Sequence, residues 1–277
     1  MTVNELKKFA TDVRIETVKC REARTFGHIG GCLSIADVLT VLYNGELKNI
    51  DPKNPKKPDR DMLVVSKGHA GPAVFATLAL KGYFPLDWLP TLCEGGTRLP
   101  SHCDRIRTPG IDASTGSLGQ GLSLANGFAH AAKIKDKKNR IYCLMGDGEI
   151  QEGQIWEAAM YAHQYKLNNL VGIVDWNKKQ IDGTVDECIS LLDIAEKFRA
   201  FGWYAVTVKG DDIEAIQMAF KQIRENQSDK PGVLVLDGVK GSGVKCIEEM
   251  KFNHMIPVDK ELADQCLEEL EAVKNSL

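Results

Sequence analysis

Five short apolar runs punctuate the chain: "MLVVS" (62–66), "RIYCLMG" (140–146), "LVGIVDW" (170–176), "WYAVTV" (203–208) and "GVLVLDGV" (232–239). They are rich in β-branched residues and show little polar alternation, which is the pattern of strands buried on both faces. Around them the apolar positions recur at helical spacing instead. Leu6, Phe9, Ala10, Val13 and Val18 do so in the first segment, as do the stretches Gln154 to Lys166 and Asp211 to Gln227. Buried strands alternating with helices predict an α/β fold, a mostly parallel sheet with helices on both faces. The expected organisation is one domain over 1–277, with a helical tail at 259–277 and no internal repeat or linker. In such sheets ligands bind beyond the carboxyl ends of the strands. Glycine and acid clusters follow those ends here: "GDGE" at 146–149, "DWN" at 175–177 and "KGSG" at 240–243.

Composition narrows the function classes. The chain has 277 residues, 43% of them hydrophobic and 26% charged, with a net charge of -3. That balance suits a soluble domain with a sizeable core and argues against a nucleic-acid binder. The basic pieces Lys53 to Arg60 and Lys133 to Arg140 are short and interrupted, and read as a solvated loop and a helix end. No apolar stretch reaches the ~20 residues of a membrane helix, and the N-terminus reads as a helix rather than a signal peptide, so a cytoplasmic location is expected. The eight cysteines (20, 32, 93, 103, 143, 188, 246 and 266) form no CxxC and no zinc-like Cys/His spacing. Most are expected to be reduced and at least half-buried.

The stretch "LMGDGEIQEGQ" (144–154) carries the first chemistry. Asp147 lies between two glycines at the end of a buried run. Taken alone, such an aspartate more often caps the next helix. A metal reading needs a partner ligand, and the next strand ends in Asn177, one βαβ step away. Magnesium takes oxygen ligands and shares them between one or two protein groups and a substrate's phosphates. Asp147, the Asn177 amide oxygen and the carbonyl of Lys179 form a candidate set for Mg²⁺ or Ca²⁺. Gly146 and Gly148 would let backbone amides approach a diphosphate closely.

The whole pattern, Gly-Asp-Gly, helix, apolar strand and Asn, resembles the thiamine diphosphate fingerprint. "GDGEIQEGQIWEAAMYAHQYKLNNLVGIVDWNKKQIDG" (146–183) looks like the cofactor segment of a transketolase. Further segments match that family in order: "GHIGGCLS" (27–34), "SKGHA" (66–70), "PSHCD" (100–104), "DASTGSLGQGLSLANG" (112–127) and "VKGSGVKCIEEMKFNHMIP" (239–257). The chain resembles only the diphosphate-binding half. A second, pyrimidine-binding half would supply the glutamate that activates the cofactor. The resemblance therefore implies the N-terminal subunit of a split transketolase, partnered by a separate C-terminal subunit in an α2β2 hetero-oligomer.

Several site residues follow from the resemblance. His28, His69, His102 and His254 would serve proton transfer and contact the substrate, with His69 and His254 nearer the cofactor. Gly116, Ser117 and Leu118 would hold the thiazolium and aminopyrimidine through main-chain contacts. Gly148 would donate to the diphosphate, and Glu152 would lie near the subunit contact. His130 and His163 sit in helical patterns and receive no chemistry, and Cys32 reads as a buried thiol. "FNHMIP" and "SHCD" depart from the family's usual residues around His254 and His102. With them comes room for an altered sugar, with a phosphate or a sulfonate as its anionic end. Two readings compete: the α subunit of a 2-oxo acid dehydrogenase's first component, and a non-catalytic partner that only binds cofactor.

Overall fold

The computed structural model describes every residue except Thr25 and Gln227, with Phe26 described by its backbone. Five of its strands are β2 (Met62–Val65), β3 (Ile141–Gly146), β4 (Leu170–Trp176), β5 (Tyr204–Lys209) and β6 (Gly232–Asp237), and β1 and β7 are given below. They form one parallel sheet in the order β2-β3-β4-β6-β5. All five expected runs are strands, with small shifts at their ends. Trp203 precedes β5 because its N–H closes the preceding helix on the Phe198 carbonyl, while its indole donates to the Ala159 carbonyl in the core.

Both faces of the sheet are covered. Leu63, Val65, Tyr142, Leu144, Val171, Ile173, Leu234 and Leu236 pack on one side with the helices Ala36–Val41, Gly71–Leu80 and Ile213–Asn226. Val64, Ile141, Cys143, Met145, Leu170, Val174, Val233 and Val235 pack on the other with Gly121–Ile134, Gly153–Gln164 and Ile194–Ala200. Strand neighbours alternate between the two cores, as a period of two requires. The helix expected to reach Lys166 stops at Gln164. Lys166 takes φ +49°, and Leu167 N–H returns to the Ala162 carbonyl, which terminates the helix by a left-handed residue. The end expected at Gln227 lies outside the described residues.

A second, smaller sheet was not anticipated. β1 (Phe26–His28) pairs antiparallel with β7 (Met255–Pro257), placing His28 opposite Met255. Beneath it Ile15, Val18, Ile29 and Leu33 pack against Val244, Ile247, Ala263, Cys266 and Leu270. The expected helical tail is the helix Lys260–Ser276, docked on the first helix Val3–Glu22 and tied to it by Lys274–Asp12 at 2.7 Å. All eight cysteines are free thiols; five are buried, Cys188 and Cys246 half-buried, and Cys93 exposed. Among the described residues no helix is long and apolar enough to cross a membrane.

Candidate functional site

The turn after β3 places Asp147 at the carboxyl edge of the sheet, only 3% exposed. Its Oδ1 accepts from Gly148 N–H at 2.8 Å and its Oδ2 from Lys178 N–H at 2.6 Å. The carboxylate therefore bridges the ends of β3 and β4. The neighbouring Glu149 ties the surrounding turns: it accepts from Gly146 N–H and Gly119 N–H, both at 3.0 Å, and from the Ser66 hydroxyl. Burial, aided by the nearby Asp175 charge, pushes the Asp147 carboxyl up to about 6.

Asn177 stands beside it, 4% exposed. Its Nδ2 donates to Asp175 at 2.8 Å, which leaves Oδ1 as the atom available to a ligand beyond a 3.2 Å contact from Lys179 N–H. The Lys179 carbonyl accepts from the Lys240 ammonium at 2.7 Å. One carboxylate, one amide and one carbonyl are all hard oxygen donors, and they would suit a Mg²⁺ or Ca²⁺ that shared its remaining positions between a diphosphate and water. Among the described residues no group of three His, Cys, Asp or Glu side chains stands ready to hold a metal unaided.

The four histidines taken from separate loops converge. His28 lies with its ring centroid 4.9 Å from His69, 5.0 Å from His254 and 6.2 Å from His102, and His69 is 5.1 Å from His254. The β1–β7 pairing brings His28 and His254 together, since Met255, opposite His28, follows His254 directly. Burial lowers the pKa of His28 to about 4 and of His254 to about 3, and holds His69 and His102 below the usual imidazole range. All four are neutral imidazoles at pH 7, able to accept a proton or share a hydroxyl hydrogen bond. A cleft runs between this cluster and the turn at Asp147, lined by His69, Leu118, Asp147, Asn177, Lys240 and His254 among others.

A model of the family described as "Transketolase, thiamine diphosphate binding domain" matches residues 6–270. The chain belongs to the transketolase family. It is 48% identical over 245 residues to the 6-deoxy-6-sulfo-D-fructose transketolase subunit SqwG of a Clostridium species, covering 88% of each chain. It is 41% identical to an apulose-4-phosphate transketolase subunit of Phocaeicola vulgatus, covering 90% of this chain and 88% of that one. Against the transketolase of Pongo abelii it is 36% identical over 96% of its own length but only 42% of the relative's. The crystal structure of Campylobacter jejuni transketolase superposes with a TM-score of 0.90 at 32% identity, over 98% of this chain and 43% of that one. The chain is thus the thiamine diphosphate-binding part of a transketolase, with the length of the relatives named as subunits. The family match sets aside the 2-oxo acid dehydrogenase reading.

In this transketolase domain the other expected residues are placed less uniformly. Leu118 lines the cleft, 39% exposed. Gly116 lies against the His102 ring, where a built Cβ would stand 3.2 Å from Cδ2, and Ser117 is exposed beside it. Glu152 is exposed and does not line the cleft. Its Cβ would meet one built on Gly119 at 2.9 Å, so it buttresses the 116–120 loop instead.

Four charged residues at the transketolase site were not singled out from the sequence. Lys67 and Lys240 line the cleft, 1% and 3% exposed, and Glu149 organises it. Lys240 also reaches His254 Nδ1 at 2.9 Å, and burial lowers its pKa to about 8. Each lies inside a quoted motif, "SKGHA", "VKGSG" or "GDGE", so proximity to a motif was the available signal. Arg21 had none. It sits at the end of the first helix, 2% exposed, with Nε and Nη2 lacking hydrogen-bond partners among the described residues. Its charge adds to burial in keeping His28 and His102 neutral. Gly27 lies so close that a Cβ there would meet Nη1 at 2.2 Å.

Proposed function

We propose that this chain is the diphosphate-binding subunit of a two-polypeptide transketolase that moves a ketol unit from an anionic ketose to an aldose phosphate. The convergence of four neutral histidines beside the Asp147–Asn177 turn carries this reading. A one-chain transketolase supplies such a site with a second half, and this chain spans 42% of one such relative. A C-terminal, pyrimidine-binding subunit completes the enzyme as an α2β2 assembly.

Thiamine diphosphate, when bound, supplies the carbon acid that makes a two-carbon fragment transferable. The protein's own part is position and protons. Asp147, Asn177 Oδ1 and the Lys179 carbonyl hold Mg²⁺ or Ca²⁺, and Gly148 and Lys240 face the diphosphate. Gly116, Ser117 and Leu118 border the ring-binding side. His28 and His102 contact the sugar's hydroxyls and carbonyl, while His69 and His254 stand nearer the cofactor. A neutral imidazole accepts the donor's hydroxyl proton as the carbon–carbon bond opens and returns it to the acceptor's oxygen, without a change in the chain's net charge over a cycle.

The anionic end of the sugar is left to the substrate chosen. Relatives named for a sulfonated fructose and for apulose 4-phosphate support a sulfonate or a phosphate on an unusual sugar. The test is ketol transfer from xylulose 5-phosphate to ribose 5-phosphate with thiamine diphosphate and Mg²⁺, by this chain alone and with its C-terminal subunit, followed by sulfonated and branched donors. Transfer only in the mixture is expected. Full activity of this chain alone would refute the two-subunit reading, and failure of every donor in a cofactor-binding mixture would refute ketol transfer.

A further inference from the structure

The oxygen Asp175 Oδ2 collects three donors from three parts of the chain. Lys67 Nζ lies at 2.6 Å, Ser34 Oγ at 2.8 Å and Asn177 Nδ2 at 2.8 Å. Ser34 follows the β1 segment, Lys67 follows β2, and Asp175 belongs to β4. Asp175 and Lys67 are 2% and 1% exposed at their side chains, so the ion pair is buried. Asp175 does not itself line the cleft.

An amide has a donor end and an acceptor end, and in an open site it turns freely between them. Here it does not. Turning Asn177 over would set its Oδ1 against a carboxylate oxygen and its NH₂ against the Lys179 N–H, two clashes of like with like. The charge on Asp175 therefore decides which end of Asn177 the cleft sees. Lys67 in turn makes that charge tolerable, because an unpaired buried carboxylate is strongly unfavourable. Ser34 donates to the same oxygen but carries no charge and touches no metal-facing group.

We infer that Asp175 is a positioning residue for the divalent cation, acting through the Asn177 amide and sustained by Lys67. This rests on the reading of Asp147, Asn177 and Lys179 as the metal set. Partners that orient metal ligands are typically worth about 10- to 100-fold in metal affinity. The replacement of Asp175 should cost that much, and the cost should fall on the metal. Diphosphate affinity without metal should hold or improve, because Lys67 then faces the cleft uncompensated.

The test is Mn²⁺ binding, read by loss of the free-ion EPR signal, at saturating thiamine diphosphate, in the full chain alone and joined to its C-terminal subunit. Asp175→Asn should weaken Mn²⁺ binding by about tenfold or more, whereas Ser34→Ala should leave it within about twofold while lowering the unfolding midpoint. The double variant Lys67→Met/Asp175→Asn removes both charges, avoids a lone buried ion and should show the same metal loss, so the inference stays testable if Asp175→Asn folds poorly. Wild-type affinity in the Asp175 variants, or an equal loss in Ser34→Ala, would overturn it. Cofactor binding indifferent to EDTA in the wild type would instead remove the metal reading on which it stands.

Discussion

Asp147→Asn should separate the cost of a buried carboxylate from its use. Folding raises the Asp147 pKa from 3.8 to about 6, through burial first and the Asp175 charge second. Between those values the native chain binds a proton that the unfolded chain releases. Stability contributed by this group therefore falls as pH rises through that window, and the full cost is present at neutral pH. At about 1.4 kcal/mol per pH unit the cost reaches about 3 kcal/mol at pH 7.5 and about 1 kcal/mol at pH 4.5. Asparagine carries no charge but offers one acceptor where Asp147 offers two. One of the Gly148 and Lys178 N–H groups loses its partner, at roughly 1–3 kcal/mol. That loss is the same at both pH values. The expected result is a swing of about 2 kcal/mol in the variant's favour between pH 4.5 and pH 7.5, measured by urea unfolding in EDTA without cofactor. Metal-dependent thiamine diphosphate binding should vanish in the same protein. An unchanged stability difference at the two pH values would refute the electrostatic reasoning, and retained Mg²⁺ dependence would refute the metal assignment.

Other substitutions probe the rest of the site. His28→Ala should lower turnover by about 100-fold or more, in line with the loss of a proton-transfer group, while cofactor affinity measured by equilibrium dialysis stays near wild type; normal turnover would remove His28 from the reaction. Lys240→Met should weaken thiamine diphosphate binding about 10- to 100-fold at saturating Mg²⁺, as expected for a charge-assisted hydrogen bond worth about 1.5–3 kcal/mol. Equal binding would mean that the Lys240 ammonium serves only the Lys179 carbonyl and His254. Gly121→Ala would put a Cβ 2.1 Å from Ser66 Oγ and 2.7 Å from Ser66 Cα, and Ser66 is held by Glu149. A loss of about 3 kcal/mol in urea unfolding is expected from such overpacking, and a neutral result would show that the helix Gly121–Ile134 can shift.

The five central strands were legible because burial on both faces removes polar residues from them, a signal carried by each run alone. Their spatial order was not, since insertion of β6 between β4 and β5 is a contact between distant segments with no local mark. β1 and β7 escaped for a different reason: three residues are too few to show a period. With them went the physical reason that His28 and His254 meet, although each histidine was legible from its motif. Lys240 and Lys67 were not singled out because sequence shows a residue's type and not its burial. Arg21 was hidden in the same way at the end of an amphipathic helix. Glu152 is turned outward by the fold, as a residue expected near a subunit contact would be.

The pairing of β1 with β7 has a consequence for how the protein is made. The strand partner of His28, Met255, is synthesised 227 residues after it. The Ile15 and Val18 side of the first helix likewise waits for Ala263, Cys266 and Leu270. Contacts of such long sequence separation form late, because the intervening loop must close before they contribute. A nascent chain can lay down β2, β3 and β4, and with them the turn at Asp147 and Asn177, before the histidine cluster exists. The turn at Asp147 and Asn177 is thus the earlier product of synthesis and the histidine cluster the later one. A chain interrupted before residue 255 would carry the former without the latter, and would leave Ile15 and Val18 of its first helix uncovered by the last helix.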